Sequence, residues 1–187
     1  MATIVGSRSG LFWKNIPGGL PIIQDAKLFT GNVFFVDSSA PAAQRGTTAG
    51  FGFHPDRPLS TIDAAIDLCT ANQGDVIFVL PGHTETISGA TTLVLDLAGI
   101  TIIGLGKGAT RPTLTFSATD SNIPISAANV LMQNFLLLGT AGIDVTSAFT
   151  ITAADVELPD IECRESGSTA QFVAIVTLDT GSDRYRM

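Results

Sequence analysis

Charge is scarce in this 187-residue sequence. Asp, Glu, Lys and Arg make up 14% of it, against about 25% in an ordinary globular domain. With 45% hydrophobic residues and a mean hydropathy of +0.37, the chain is the opposite of a disordered one, which pairs low hydrophobicity with high net charge. Basic residues are the scarcest: three lysines and seven arginines face 17 acidic residues, for a net charge of -7. Phosphate binding needs clustered basic side chains, so nucleic acid is not an expected partner. Long apolar runs are missing as well. Stretches such as Ile100 to Leu105 break at Gly, Asp or Thr, well short of the roughly 18 residues a membrane span needs. The opening Met-Ala-Thr-Ile-Val-Gly-Ser-Arg lacks the apolar region of a signal peptide. Neither Asn-Gly nor Asp-Gly occurs, which argues against a fold built from tight hairpins.

What is abundant points one way. There are 22 threonines and 19 glycines; β-branched residues favour strands and glycine punctuates turns. From Asp75 to Thr180 the chain is a succession of apolar runs of three to five residues, among them Val76–Leu80, Leu93–Leu97, Ile100–Ile103, Thr113–Phe116, Phe135–Leu138 and Phe172–Val176. None keeps a 3.6-residue period over two turns. An internal repeat selects among the all-β folds. Ala98-Gly99-Ile100 lines up with Ala128-Asn129-Val130 and Ala154-Asp155-Val156, at offsets of 30 and 26 residues. Repeats of that length indicate stacked units that cannot bury a face alone. The expected fold is therefore all-β, a right-handed parallel β-helix (a solenoid) with an N-terminal capping α-helix and an extended N-terminal arm.

The capping helix is expected over 61–71, with Ser60 as N-cap and Asp63 serving the first-turn amides. Ile62, Ala65, Ile66 and Cys69 form its apolar stripe, and Asn72-Gln73-Gly74 ends it. Residues 1–50 read as arm and loop, 51–187 as the short β-helix domain. Leu11, Phe12, Trp13 and Ile16 give the arm an aromatic anchor suited to packing on something else. Phe172 and Val173 belong to a last coil that needs covering.

Candidate chemistry is sparse. His83 and Glu85 lie two residues apart on one strand face and could share a proton, yet no nucleophile accompanies them and a structural role after Pro81-Gly82 is favoured. His54-Pro55-Asp56-Arg57-Pro58 could hold a sugar or carboxylate; its two prolines favour a rigid loop. Cys69 and Cys163 are far apart, form no metal spacing, and are expected to be reduced and structural. Asp120, Asp144, Asp155, Asp160 and Asp179 could line a calcium site if stacked, but the β-roll nonapeptide is missing. Gly104-Leu105-Gly106-Lys107-Gly108 lacks the Ser/Thr that a phosphate loop places after Lys and reads as a turn between coils. Glycoside hydrolysis needs two carboxylates across a cleft, and sequence alone pairs none. No catalytic set, metal or cofactor is expected.

Three stretches together carry a resemblance: Gly31-Asn32-Val33-Phe34-Phe35-Val36-Asp37-Ser38, then Gly52-Phe53-His54-Pro55-Asp56-Arg57-Pro58-Leu59-Ser60-Thr61-Ile62-Asp63-Ala64-Ala65-Ile66, then Gly74-Asp75-Val76-Ile77-Phe78-Val79-Leu80-Pro81-Gly82-His83-Thr84-Glu85. They resemble the entry to the pectate-lyase-like right-handed β-helices common in virion proteins of tailed bacteriophages, over roughly residues 31 to 140. With only about four coils, the chain is most similar to capsid decoration or cement proteins. That resemblance implies a structural, non-enzymatic virion protein on the capsid surface, made in the host cytoplasm, with the major capsid protein and itself, as a homotrimer, for partners. The alternatives are a tail-associated polysaccharide-binding or -degrading protein and a tail or baseplate subunit. Aromatics at 7%, with one Trp and one Tyr, speak against a sugar-stacking flank.

Overall fold

A computed structural model describes residues 12–13, 22–23, 31–165 and 171–187. Strands are numbered in chain order. An antiparallel pair, β1 (Phe12–Trp13) and β2 (Ile22–Ile23), precedes everything else. Every other ladder between strands is parallel. The five-stranded first sheet contains β3 (Val33–Val36), β4 (Val76–Val79), β6 (Thr101–Gly104), β9 (Val130–Gln133) and β13 (Val156–Glu157). The second contains β5 (Thr84–Ile87), β7 (Thr113–Phe116), β10 (Leu136–Gly139) and β14 (Glu162–Glu165). The third contains β8 (Ile123–Ile125), β12 (Phe149–Ile151) and β16 (Val176–Leu178). A two-stranded sheet joins β11 (Asp144–Val145) to β15 (Gln171–Phe172). The chain visits the three main sheets in turn, which makes a parallel β-solenoid of about four turns.

Alternation along each strand builds the core as columns. In register, Phe34 stacks on Ile77, Ile102 and Met132, and all four are buried. Leu114 and Leu137 form a second column, Ile123 and Phe149 a third. The repeat seen in the sequence is the turn that enters the first sheet. Gly99, Asn129 and Asp155 sit there with φ of 75, 57 and 57°, the left-handed conformation that Gly, Asn and Asp tolerate best. The amide of Gly99 donates to the Ala128 carbonyl at 3.0 Å and that of Asn129 to Ala154 at 3.2 Å. The same turn recurs at Gly74 (φ 76°) and at Arg184 (φ 56°).

Three expectations need correction. The solenoid starts earlier than residue 51: Val33–Val36 pairs with β4 and buries Phe34 and Val36. The helix, α1, is Ile62–Ile66, shorter than 61–71. Its N-cap is Thr61, whose Oγ1 accepts from the Ala64 amide at 3.3 Å, while the Ser60 amide is spent on the Gly46 carbonyl at 2.8 Å. The chain leaves the helix because the solenoid competes for its amides: Thr70 N–H goes to Asp75 Oδ2 at 2.6 Å and Asn72 N–H to the Ala98 carbonyl at 2.8 Å. The apolar stripe is as expected, with Ile62, Ala65 and Ile66 buried and Cys69 half-buried. Leu93–Leu97 makes only one bridge, Leu95 to Ile125. Of the arm residues, Leu11 and Ile16 lie outside the described residues, and Phe12 and Trp13 are described only as backbone of β1.

Candidate functional site

Leu80-Pro81-Gly82-His83 is a tight turn closed by the His83 amide on the Leu80 carbonyl at 3.2 Å, with Gly82 at φ 87°. Pro at the second position and a positive-φ Gly at the third suit a type II turn. This turn swings His83 inward, where it has no exposed surface. Ser38 N–H donates to His83 Nδ1 at 3.0 Å. That leaves the ring proton on Nε2, which faces Glu85 Oε2 at 3.2 Å. The same Glu85 oxygen accepts from the Ile62 amide, the first of α1, at 3.1 Å. Glu85 occupies an inward position, in register with Leu114 and Leu137, and its side chain is 8% exposed. The two residues do face the same way, as the spacing requires. His83 is buried, Glu85 also reaches the edge of a cleft, and together they join the first coil to the helix.

Beside this junction lies a cleft of about 610 Å³ whose lining includes Ser38, Arg45, Asp63, Thr84, Glu85 and Thr92. Asp63 Oδ1 accepts from the Val94 amide at 3.2 Å. Burial pushes the Asp63 carboxyl above its ordinary value despite that bond, and Asp67, Glu85 and Asp96 push the same way. The Arg45 guanidinium donates to the Ser38 carbonyl. Two carboxylates, one of them desolvated, therefore share one cleft; this pairing spans residues 22 apart in sequence and no local pattern announces it.

Sequence reasoning also missed Asp75, which has no exposed surface. Its Oδ1 accepts from the Asn32 amide at 2.5 Å and its Oδ2 from Thr70 at 2.6 Å, so the buried carboxylate is satisfied by backbone donors. The signal was its place in the repeat: Asp75 stands where later coils have Ile100, Val130 and Val156.

No protein-family model, curated protein or solved structure matches this chain. The remaining candidates must be read from their own geometry. His54 and Arg57 bridge a tight, exposed turn, and the Arg57 guanidinium lies 4.9 Å from the Phe51 ring centroid. Asp155 binds Arg184 through Nε at 2.5 Å and Nη2 at 2.6 Å, which holds its carboxyl below the ordinary value. Asp120 lines a second polar cleft of about 290 Å³. Among the described residues no three His, Cys, Asp or Glu side chains gather as a metal set, so Asp144, Asp160 and Asp179 are not brought together with the others as ligands. Gly104 ends β6 and Gly106 turns at φ 104° before a 3₁₀ turn, Gly108–Thr110. Cys69 and Cys163 are free and half-buried. Burial pushes their thiols up to about 12, with help from Asp75, and to about 11, with help from Glu162.

The other end of the solenoid looks different. Phe172 packs edge-on against Phe116, ring centroids 5.4 Å apart, but Val173 is 71% exposed, Leu178 51% and Ile175 38%. Tyr185 turns its hydroxyl into this end without a hydrogen-bond partner among the described residues, and burial raises its pKa. Among the described residues, β14 and β16 each pair on one side only.

Proposed function

We propose that this protein is a structural virion subunit of the capsid decoration or cement type, acting by assembly rather than catalysis. The observation that carries the reading is the apolar far end, where Val173, Ile175 and Leu178 stand exposed beside two open strand edges. Exposed apolar residues and unpaired edges together mark a surface meant for another chain. At the opposite end α1 acts as a cap over a right-handed helix, directing association to the far end. The N-terminal arm, with Leu11, Phe12, Trp13 and Ile16, supplies a second contact. The partners on this reading are the major capsid protein and further copies of the chain. The test is cosedimentation of the purified protein with shells built from the major capsid protein encoded in the same genome. Binding at saturable stoichiometry supports the reading, and a protein that stays in the supernatant overturns it.

A second reading has its own observation. Asp63, desolvated, and Glu85 line one cleft with Arg45, a carboxylate pair of the kind that glycoside cleavage uses. A tail-associated polysaccharide-degrading protein would lose depolymerisation in Asp63→Asn while keeping its fold. Absence of activity on a polysaccharide panel sinks this alternative.

A further inference from the structure

We infer that the far end of the solenoid binds a second copy of this chain about a two-fold axis through β16, a conclusion that rests on reading that end as an assembly surface. Backbone direction decides which groups are available. The Asp179 amide donates to Ile151 and the Ile175 carbonyl accepts from Phe149, each at 2.9 Å. Alternation along the strand then turns the N–H and C=O of Val176 and Leu178 to the open edge. In β14 the Glu162 amide goes to Phe135 at 2.9 Å, and beyond the last turn the Arg186 amide goes to Val156 at 2.9 Å. Cys163, Tyr185 and Met187 likewise present their backbone groups outward.

These three edges form a spiral stair. A solenoid advances one strand spacing, about 4.8 Å, per coil, so each of three sheets ends about a third of that higher than the one before. β14 is the low step, β16 the middle one, and Tyr185–Arg186, bridged to β13, the high one. A two-fold axis through the middle step sets each low step against the partner's high step, and all three gaps then equal one strand spacing. An axis through the low step drives the other two steps into each other, and one through the high step leaves them two strand spacings apart. Charge does not choose between the pairings, because Glu162 of β14 is held by Arg111 and Arg164, and on the facing step Arg184 is held by Asp155 and Arg186 lies by Glu157; the backbone edges make the choice. Within the β16 pair, centring on Thr177 places Val176 opposite Leu178 of the other copy. The free backbone groups are then satisfied, and exposed Leu178 enters a joined core. Thr177, on the outer face, meets its own equivalent, a favourable cross-strand pair.

The experiment is disulfide trapping in the full chain. Directly opposed residues in a non-hydrogen-bonded antiparallel pair have Cα atoms about 4.5 Å apart, inside disulfide range. Thr177→Cys, mildly oxidised, is expected to run as a covalent dimer on a non-reducing gel. Wild type and Thr152→Cys, an exposed site one coil back, are expected to run as monomers. Light scattering of the wild type is expected to give twice 19.4 kDa, falling to 19.4 kDa in Leu178→Arg. A wild type of 19.4 kDa, or a Thr177→Cys variant that does not cross-link, overturns the inference. Three times 19.4 kDa without a cross-link overturns it in favour of the trimer and leaves the virion reading standing. A cross-linked pair that ignores capsid shells sinks the virion reading and leaves the two-fold.

Discussion

The two ends of the solenoid solve one problem in opposite ways. A stack of coils builds its core as columns, and every column has two ends that must meet something. At the first end two inward columns terminate in carboxylates. Asp75 stands ahead of Ile100, and Glu85 stands ahead of Leu114. Asp75 accepts from two backbone amides and Glu85 from one, and His83 completes the set through Ser38 and Glu85. At the far end the columns reach Cys163, Val176, Leu178 and Tyr185, apolar or half-apolar groups that are half-buried or exposed. Buried polar groups with full hydrogen bonding fix one arrangement; exposed apolar ones favour another surface. The difference teaches that polarity inside a solenoid marks a finished end and apolarity outside it an end open to association.

The largest expected effect tests the columns themselves. Ile102 sits fully buried between Ile77 and Met132. Ile102→Asp loses its apolar burial and leaves an unpaired charge in the stack, a cost of more than about 4 kcal/mol against a total stability of about 5–15 kcal/mol. Circular dichroism should show a chain unfolded near room temperature. A melt like the wild type's would mean that the inward face is not inward.

Next comes the finished end. Asp75→Ala strands the Asn32 and Thr70 amides, whose bonds to it are part-buried, at a cost of roughly 1–3 kcal/mol for each donor that water does not reach. Urea denaturation at neutral pH reads this directly, and a change below about 0.5 kcal/mol would show that water replaces the carboxylate freely.

A smaller effect depends on pH. Because the folded-state pKa of Asp63 is raised, its protonated form favours folding. That contribution is fully present below the ordinary carboxylate value of 3.8 and disappears as pH rises through the folded pKa. Asp63→Asn keeps an acceptor for the Val94 amide and removes the desolvated charge. Its melting temperature should exceed the wild type's slightly at pH 7, with the gap closing near pH 3. An equal gap at both values would mean that charge is not the cause.

The smallest effect belongs to the open end. Val173→Ser removes an apolar side chain that is 71% exposed, so chain stability should change by less than about 0.5 kcal/mol while association weakens. Comparing denaturant midpoints with light-scattering mass separates the two, and a large loss of stability would show that Val173 is core.

Much of this was legible in the sequence, and the residues say why. Short alternating runs, the absence of hairpin dipeptides and the Ala-Gly, Ala-Asn and Ala-Asp turns at about one-coil spacing identify a parallel solenoid, because face alternation and positive-φ tolerance are local properties. The helix stripe of Ile62, Ala65 and Ile66 was equally local. The length of α1 was not: Thr70 and Asn72, which would have continued it, give their amides to Asp75 and Ala98, acceptors that only stacking delivers.

By itself, then, the sequence determined the solenoid class and the turns that repeat from coil to coil. Tertiary structure decided what the polar residues do. His83 and Glu85 are two apart in sequence, but their partners Ser38 and Ile62 are 45 and 23 residues away. The cleft that joins Asp63 to Glu85 likewise exists only once the first coil closes beside α1. A hydrogen bond's value rests on distance, burial and the direction of its partner, and those are set by which coil lies against which.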